Sequence, residues 1–526
     1  MTKTVLPLAE LFDTLPHYRI AALKQRVYFR AMKRLFLASA LLVACCSVQA
    51  QKKKAAANPK LFAASILPAD LKKHLYIIAG PEMEGRETAT PGQKKAAAYI
   101  ENHFRTLGLE PGANGSYQQV FNVYQDALQS ARLEVNGQSF TIDKDFNPQT
   151  ASNISGTFRF SEVVALPADT NAVKAADLTG RLVILYPSSS AGRIVTRAIA
   201  TTIRSKGAAA ILTVSPTYPR NAGNRAGAQS IYSFRRTVDP QQYSISEAVA
   251  RAIVGADFDA LKNGSITAKT ISSEVLLETT KNSTVLQSSN VVGVLPGTDL
   301  KDEYLFITAH YDHLGKRGDS VIFYGADDDG SGTVGVLELA EAFSLAKKAG
   351  KGPRRTIVFM TVSGEEKGLW GSEYYSNHPL FPLEKTTADL NIDMIGRSDV
   401  TRKGDTTNYI YVVGDDKISS DLKPISEAAN RQYTKLELDY KFNDVNDPNQ
   451  IYYRSDHYNF ARKGVPIIFY YDGMLGSDYH RPTDTPDKIH YELAAKRAQL
   501  VFYTGWEMAN RDSMLKRDIE LPAMRR

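Results

Sequence analysis

Apolar residues recur along this chain with two periods, and the change of period marks the elements. Over residues 94–107, Ala97, Ile100, Phe104 and Leu107 return at spacings of three and four, which puts them on one face of a helix that Gly108 would stop. Residues 71–78 carry the same spacing. Short apolar runs at 182–186, 208–214, 291–295, 305–309, 357–362, 390–392 and 467–471 have the length of buried strands. Between them, helices are predicted at 194–206, with Ile199 and Ile203 inward, and at 332–346, where Val336, Leu339, Ala340 and Phe343 form a core-facing stripe. Strands alternating with helices predict an α/β fold whose sheet is mixed, mainly parallel and covered on both faces.

The pattern also divides the chain. Residues 152–286 repeat the strand–helix–strand rhythm on a smaller scale and hold no clustered His, Asp and Glu suited to chemistry, so they read as an accessory insertion between segments 66–151 and 287–515. Residues 51–65 are Ala-rich, charged and without period, and read as a linker. With 526 residues, 43% of them hydrophobic, and a mean hydropathy of -0.28, the chain has material for a sizeable core.

Charge changes this picture little. The formal charge of +7 is concentrated in the first 50 residues, where seven Lys and Arg face only Glu10 and Asp13. The folded body is close to neutral, so no nucleic-acid or acidic-membrane partner is implied. Within that basic stretch, residues 32–50 have the three parts of a secretory signal: Lys33 and Arg34, an apolar run 35–44, and small residues before Gln51. The run is too short for a transmembrane span. Residues 1–31 precede a complete signal that begins with its own Met32, and read as a non-native N-terminal extension. Both cysteines, Cys45 and Cys46, fall inside the signal, so no disulfide or thiolate ligand is expected in the mature chain. Leu42-Val43-Ala44-Cys45 also resembles a lipoprotein cleavage box, which leaves a lipid anchor at Cys45 as the alternative to a periplasmic or secreted protein.

Candidate chemistry lies at the predicted strand ends. Asp327, Asp328 and Asp329 stand in succession between glycines, where they repel one another unless a cation is bound. His310 and Asp312, Glu365 and Glu366, and Asp393 each follow an apolar run, and His480 follows a loop after one. Zinc accepts imidazole and carboxylate, and two ions about 3.5–4 Å apart can share a carboxylate and a water. Two ions need about five protein ligands, and the chain offers His310, Asp328, Glu366, Asp393 and His480. Calcium prefers six to eight oxygens, so the imidazoles favour zinc. Of the adjacent Glu365 and Glu366, one can bind metal while the other acts as a base, and Asp312 is placed to fix the tautomer of His310. His313, Asp327, His378 and His490 read as bystanders; His457 with Asp456 could support the site from outside.

The blocks AHYDHLG, GADDDGSG, GEEKGLWGS, NIDMIGR and YHRPTDTPDKI resemble the co-catalytic di-zinc aminopeptidase family, whose clan includes glutaminyl cyclases and transferrin-receptor-like proteins. The resemblance extends over residues 66–150, including LKKHLYIIAGPEMEGRETATPGQKKAAAYI, and 286–510; the insertion, with LTGRLVILYP and IRSKGAAAILTV, resembles a protease-associated domain. It implies an α/β/α sandwich, two Zn2+ ions held by His310, Asp328 as bridge, Glu366, Asp393 and His480, and Glu365 as general base. It also implies a cis peptide at Asp328–Asp329 and a transition-state role for Tyr479. The expected activity is removal of N-terminal residues from peptides. A dipeptidase or carboxypeptidase of the same clan, a glutaminyl cyclase and a non-catalytic receptor-like module are the alternatives.

Overall fold

The computed structural model describes residues 58–187, 193–219, 226–233, 238–476 and 478–521. The signal-like run at 32–50, Cys45 and residues 1–31 lie outside them. From Pro59 onward the chain forms one compact unit. A helical turn at Lys60–Ala63, with Ala63 buried, lies within the stretch read as linker. Among the described residues no helix is long and apolar enough to cross a membrane.

Thirteen strands serve to describe the main sheet: β1 (Gln118–Val135), β2 (Phe146–Pro148), β3 (Gly156–Leu166), β4 (Leu182–Leu185), β5 (Ala210–Val214), β6 (Gln241–Ile245), β7 (Lys269–Leu295), β8 (Leu300–His310), β9 (Arg355–Val362), β10 (Thr386–Ile392), β11 (Tyr409–Val413), β12 (Glu437–Asp439) and β13 (Ile467–Tyr471). Their order across the sheet is β12-β11-β13-β10-β8-β9-β7-β3-β4-β5-β6-β2, with β1 antiparallel along β7. Parallel pairing joins β13 to β10, β10 to β8 and β8 to β9, and a second parallel set runs from β3 through β6.

Both faces of the first set are covered, and the sequence period shows how. In β8, Leu305, Ile307 and Ala309 point into one core while Phe306 points into the other; in β9, Ile357 and Phe359 oppose Val358, Met360 and Val362. The first core is closed by α1 (Pro68–Ile78), α2 (Pro91–Leu107), the helix Gly332–Lys348 and the helix Tyr491–Asn510, with Val336, Leu339, Ala340 and Phe343 all buried. On the second face Tyr375 and Phe460, from the short helices Trp370–Asn377 and His457–Ala461, pack at a tilt against Phe306 with ring centroids 5.5 and 5.4 Å away. Helix α2 starts as its sequence dictates, with Thr90 capping Gln93 and Pro91 at the first turn, and stops at Gly108 in the left-handed conformation.

The junction between the two parallel sets departs from the expected pattern. The apolar run at 291–295 is only the end of β7, which continues unbroken from Lys269, so position 286 lies inside a strand. The middle of β7 pairs with β1 and is largely exposed, with Thr, Lys, Asn and Ser where a buried strand would carry apolar residues. Its polarity concealed its length.

Candidate metal centre

Because β8, β9, β10 and β13 are parallel, their carboxyl ends lie along one edge, where open α/β sheets place ligands. His310 is the last residue of β8, Glu365 and Glu366 follow β9, Asp393 follows β10, and His480 lies in the loop after β13. The three consecutive aspartates divide the work of assembling this edge. Asp327 accepts from the backbone N–H of Gly396 at 2.8 Å and from Ser331 Oγ at 3.0 Å. Asp329 accepts from the N–H groups of His310 (3.2 Å), Gly332 (2.8 Å) and Met394 (2.9 Å), and so ties three ligand-bearing segments together. Only Asp328 is left facing the centre, with the Asp328–Asp329 peptide cis. Asp484 receives the N–H groups of Asp327 and Asp328, at 3.0 and 3.2 Å, and holds the loop from the far side.

Two groups of ligand atoms surround Asp328. His310 Nε2 stands 3.3 Å from Asp328 Oδ1 and 3.6 Å from Asp393 Oδ1. His480 Nε2 stands 3.1 Å from Asp328 Oδ2 and 3.1 Å from Glu366 Oε2. Atoms bonded to one tetrahedral zinc at about 2.0–2.2 Å stand roughly 3.3–3.5 Å apart, so both groups are close to the spacing an ion requires. His313 also belongs to a possible ligand set with Asp328 and Glu366. Its distances argue for another role. His313 Nδ1 lies 2.7 Å from Glu366 Oε1, closer than two ligands of one ion stand, and 3.9 Å from Asp328 Oδ2. It thus stands against the oxygen of Glu366 that faces away from His480, in contact with the ligand groups rather than apart from them. Sequence reading had only its position three residues beyond His310 to go on.

The electrostatics match a cation site. Burial opposes charge on His310 and His480, yet the surrounding carboxylates raise both, His480 to about 10. Burial pushes Asp328 up, but the neighbouring imidazoles of His310, His480 and His313 outweigh it and hold it well below the usual carboxylate range. His310 Nε2 and Asp328 Oδ2 are buried without hydrogen-bond partners. Such orphaned ligand atoms are what a metal would satisfy.

Glu365 is half-buried beside this centre with Oε2 3.9 Å from His310 Nε2, and desolvation, with Glu366 and Asp393 nearby, raises its carboxyl against the pull of His310. The expected link from Asp312 to His310 takes a different form. His310 Nδ1 is 3.2 Å from the backbone carbonyl of Asp312 and 3.8 Å from its carboxylate, which instead accepts from Thr88 Oγ1 at 2.7 Å and from the N–H of Glu365 at 3.2 Å. Asp312 therefore holds the imidazole through its backbone carbonyl and the base candidate through its carboxylate. Tyr479 stacks on His480 at 3.9 Å and receives Arg454 Nη2 at 3.0 Å on its hydroxyl. The cleft beside the ligands is walled by Met394, Ile451, Phe469 and Leu475, with Arg454 and Tyr479 at its mouth.

The remaining histidines stand apart. His457 is buried and neutral, pushed down to about 3 by burial, with Nε2 2.7 Å from the Tyr452 carbonyl and its ring stacked on Phe469. His378 stacks on Tyr374, and His490 bonds through its backbone to Gly396. Arg397 is paired with Asp478 at 3.0 Å.

Residues 290–505 match the sequence profile described as Peptidase family M28. A protein of Arthroderma otae described as a probable leucine aminopeptidase is 30% identical over 225 residues, covering 42% of this chain and 57% of its own length. Leucine aminopeptidase 1 of Sclerotinia sclerotiorum is 28% identical over 234 residues, 42% of this chain and 56% of its own. The chain thus spans little more than half the length of these curated relatives. Among solved structures, the aminopeptidase of Aneurinibacillus sp. strain AM-1 aligns with a TM-score of 0.54 at 18% identity, covering 89% of this chain and 99% of the other. The zinc aminopeptidase BSAP of Bacillus subtilis aligns at 0.50 and 20%, covering 86% and 99%. At these identities the alignments establish the shared α/β fold.

Proposed function

We propose that this chain, whose residues 290–505 match peptidase family M28, is a zinc-dependent aminopeptidase holding two ions. The observation that carries the reading is the placement of two ligand groups on opposite oxygens of Asp328: His310 with Asp393 on Oδ1, and His480 with Glu366 on Oδ2. When bound, the ions would polarise a peptide carbonyl and acidify a water.

The chain's own groups do the rest. Glu365 lines the cleft and is held by Asp312, so it can take the proton of the attacking water and return it to the leaving amine. Tyr479 presents a hydroxyl at the same cleft, where it can donate to the oxygen that gains charge. Glu365 and Asp393 offer carboxylate oxygens to a substrate α-ammonium, and the apolar walls receive the adjoining side chain. Arg454 supports a second reading, a dipeptidase or carboxypeptidase: among the described residues its guanidinium has no carboxylate within 4.0 Å, and it could clamp a substrate's terminal carboxylate.

Segments 66–151 and 287–515 form an α/β/α sandwich of the zinc exopeptidase type. Residues 152–286 form an inserted protease-associated domain, which the second set of parallel strands with its own buried faces supports. The signal-like run at 32–50 supports export to the periplasm or beyond, with lipidation at Cys45 as the alternative. Elemental analysis tests the metal reading: two zinc equivalents support it, and a single tight equivalent under zinc-replete conditions would favour a cyclase.

A further inference from the structure

The side chain that ties the metal-binding loops together comes from a segment with no ligand in it. Arg86 is fully buried, and its guanidinium donates to four backbone carbonyls: Nε to Tyr311 at 2.7 Å, Nη1 to Ile78 at 2.9 Å and Tyr324 at 2.7 Å, and Nη2 to Gly325 at 2.9 Å. Tyr311 adjoins His310, and Gly325 opens the loop that carries Asp328. Neighbours of Arg86 extend the connection. Gly85 and Arg86 carbonyls accept from the N–H groups of Gly315 and His313, at 2.9 and 3.3 Å. Thr88 bonds Asp312 at 2.7 Å, and Glu87 receives Lys367, next to Glu366, at 2.7 Å. Only glycine serves at position 85, where φ is +70 and a Cβ would lie 2.4 Å from the Gly315 carbonyl oxygen.

No carboxylate lies within 4.0 Å of Arg86 among the described residues, so its charge is not consumed by a partner. The centre meanwhile gathers the buried carboxyl groups of Asp312, Asp327, Asp328, Asp329 and Asp393, with Glu365 and Glu366 beside them. Burial lowers the guanidinium to about 10, with Asp312, Asp484, Asp328 and Asp329 opposing, and it stays cationic at neutral pH. A fork of fixed donors suits several separate carbonyls, which a lysine ammonium could not reach together.

We propose that Arg86 is a positioning residue for the metal pair: by pinning the Tyr311 and Gly325 carbonyls it sets the spacing between His310 and Asp328, so that zinc affinity depends on it. The inference rests on the two-ion reading. Its test is the zinc dissociation constant of the folded protein, measured by chelator competition below the melting temperature, for the wild type, R86K and R355K. Arg355 is the control, a fully buried arginine bonded to Glu303 and to the Met508 and Arg511 carbonyls at the opposite end of the strands. R86K should bind zinc about 10–100-fold more weakly, as expected for lost support of metal ligands, while R355K melts earlier with unchanged affinity. If R86K does not fold, T88V reads the same segment through Asp312 and should weaken zinc by about 10-fold. Unchanged affinity in R86K, or in T88V where R86K is unfolded, overturns the proposal. A wild type that binds no zinc overturns the two-ion reading instead.

Discussion

His313 and Glu366 are joined through Nδ1 and Oε1 at 2.7 Å, while the other oxygen of Glu366 lies 3.1 Å from His480. An imidazole held against one oxygen of a carboxylate leaves the other free for an ion and fixes its direction. Replacing His313 with Ala should weaken zinc binding about 10–100-fold without removing a ligand. Chelator competition checks it, and equal affinity would return His313 to a packing role.

Glu365 and Glu366 are neighbours of one residue type with different surroundings. Glu365→Gln should lower kcat by about 10²-fold or more with two zinc equivalents retained, because a general base is lost and the ligand groups are intact. Glu366→Gln should lose zinc. Metal content and turnover of the two variants, measured side by side, separate the roles; equal zinc content would sink the assignment.

Asp329 holds three N–H groups, from His310, Gly332 and Met394, on two oxygens. In Asp329→Asn one oxygen becomes an NH₂ group that cannot accept, so at least one buried N–H is left unpaired at a cost of about 1–3 kcal/mol. The zinc-free protein should melt at a lower temperature than the wild type, and scanning calorimetry in the presence of a chelator measures it.

A pH effect should arise far from the catalytic cleft. Glu338 is buried with both oxygens unpartnered, and burial, with Glu341 and Asp70 adding and Lys73 opposing, pushes its carboxyl up to about 8. His74 Nε2 is 3.6 Å away, but burial, with His103 and Lys73 adding, pushes that imidazole down to about 4, and Tyr99 occupies its Nδ1. Both groups are therefore neutral, and the contact is not an ion pair. An acid raised on folding binds its proton in the native state after the unfolded chain has released it, so stability falls as pH rises toward 8. His74 acts in the opposite sense only below about 6.5, where the unfolded imidazole gains its proton. Between pH 6.5 and 8, Glu338→Gln should flatten the fall in melting temperature seen in the wild type. A parallel slope would contradict it.

How much of this was legible in the sequence depended on burial. Strands such as β9 and β13 announce themselves because both faces are covered and every residue is buried. The long β7 did not, since its middle is exposed and polar. His310, Glu365, Glu366 and Asp393 were legible because they fall at or just after the ends of parallel strands. The placement of His313 was not, because its backbone is held by the Arg86 carbonyl, more than 200 residues earlier in the chain. Asp312 was read as the partner of the His310 ring, yet the loop turns its carboxylate toward Thr88 and Glu365. Spacing alone does not distinguish a backbone carbonyl from the side chain of the same residue.

The two-ion centre is proposed to act at a free N-terminus. The most direct measurement compares hydrolysis of aminoacyl anilides and short peptides with their N-acetylated and C-amidated forms, with and without chelator. Free amines should be cleaved, N-acetylation should remove nearly all the rate, amidation should leave it, and zinc should restore what chelation abolishes. Cleavage of N-acetyl peptides at undiminished rate, stopped by C-terminal amidation, would show that Arg454 reads a terminal carboxylate and that the aminopeptidase reading is wrong.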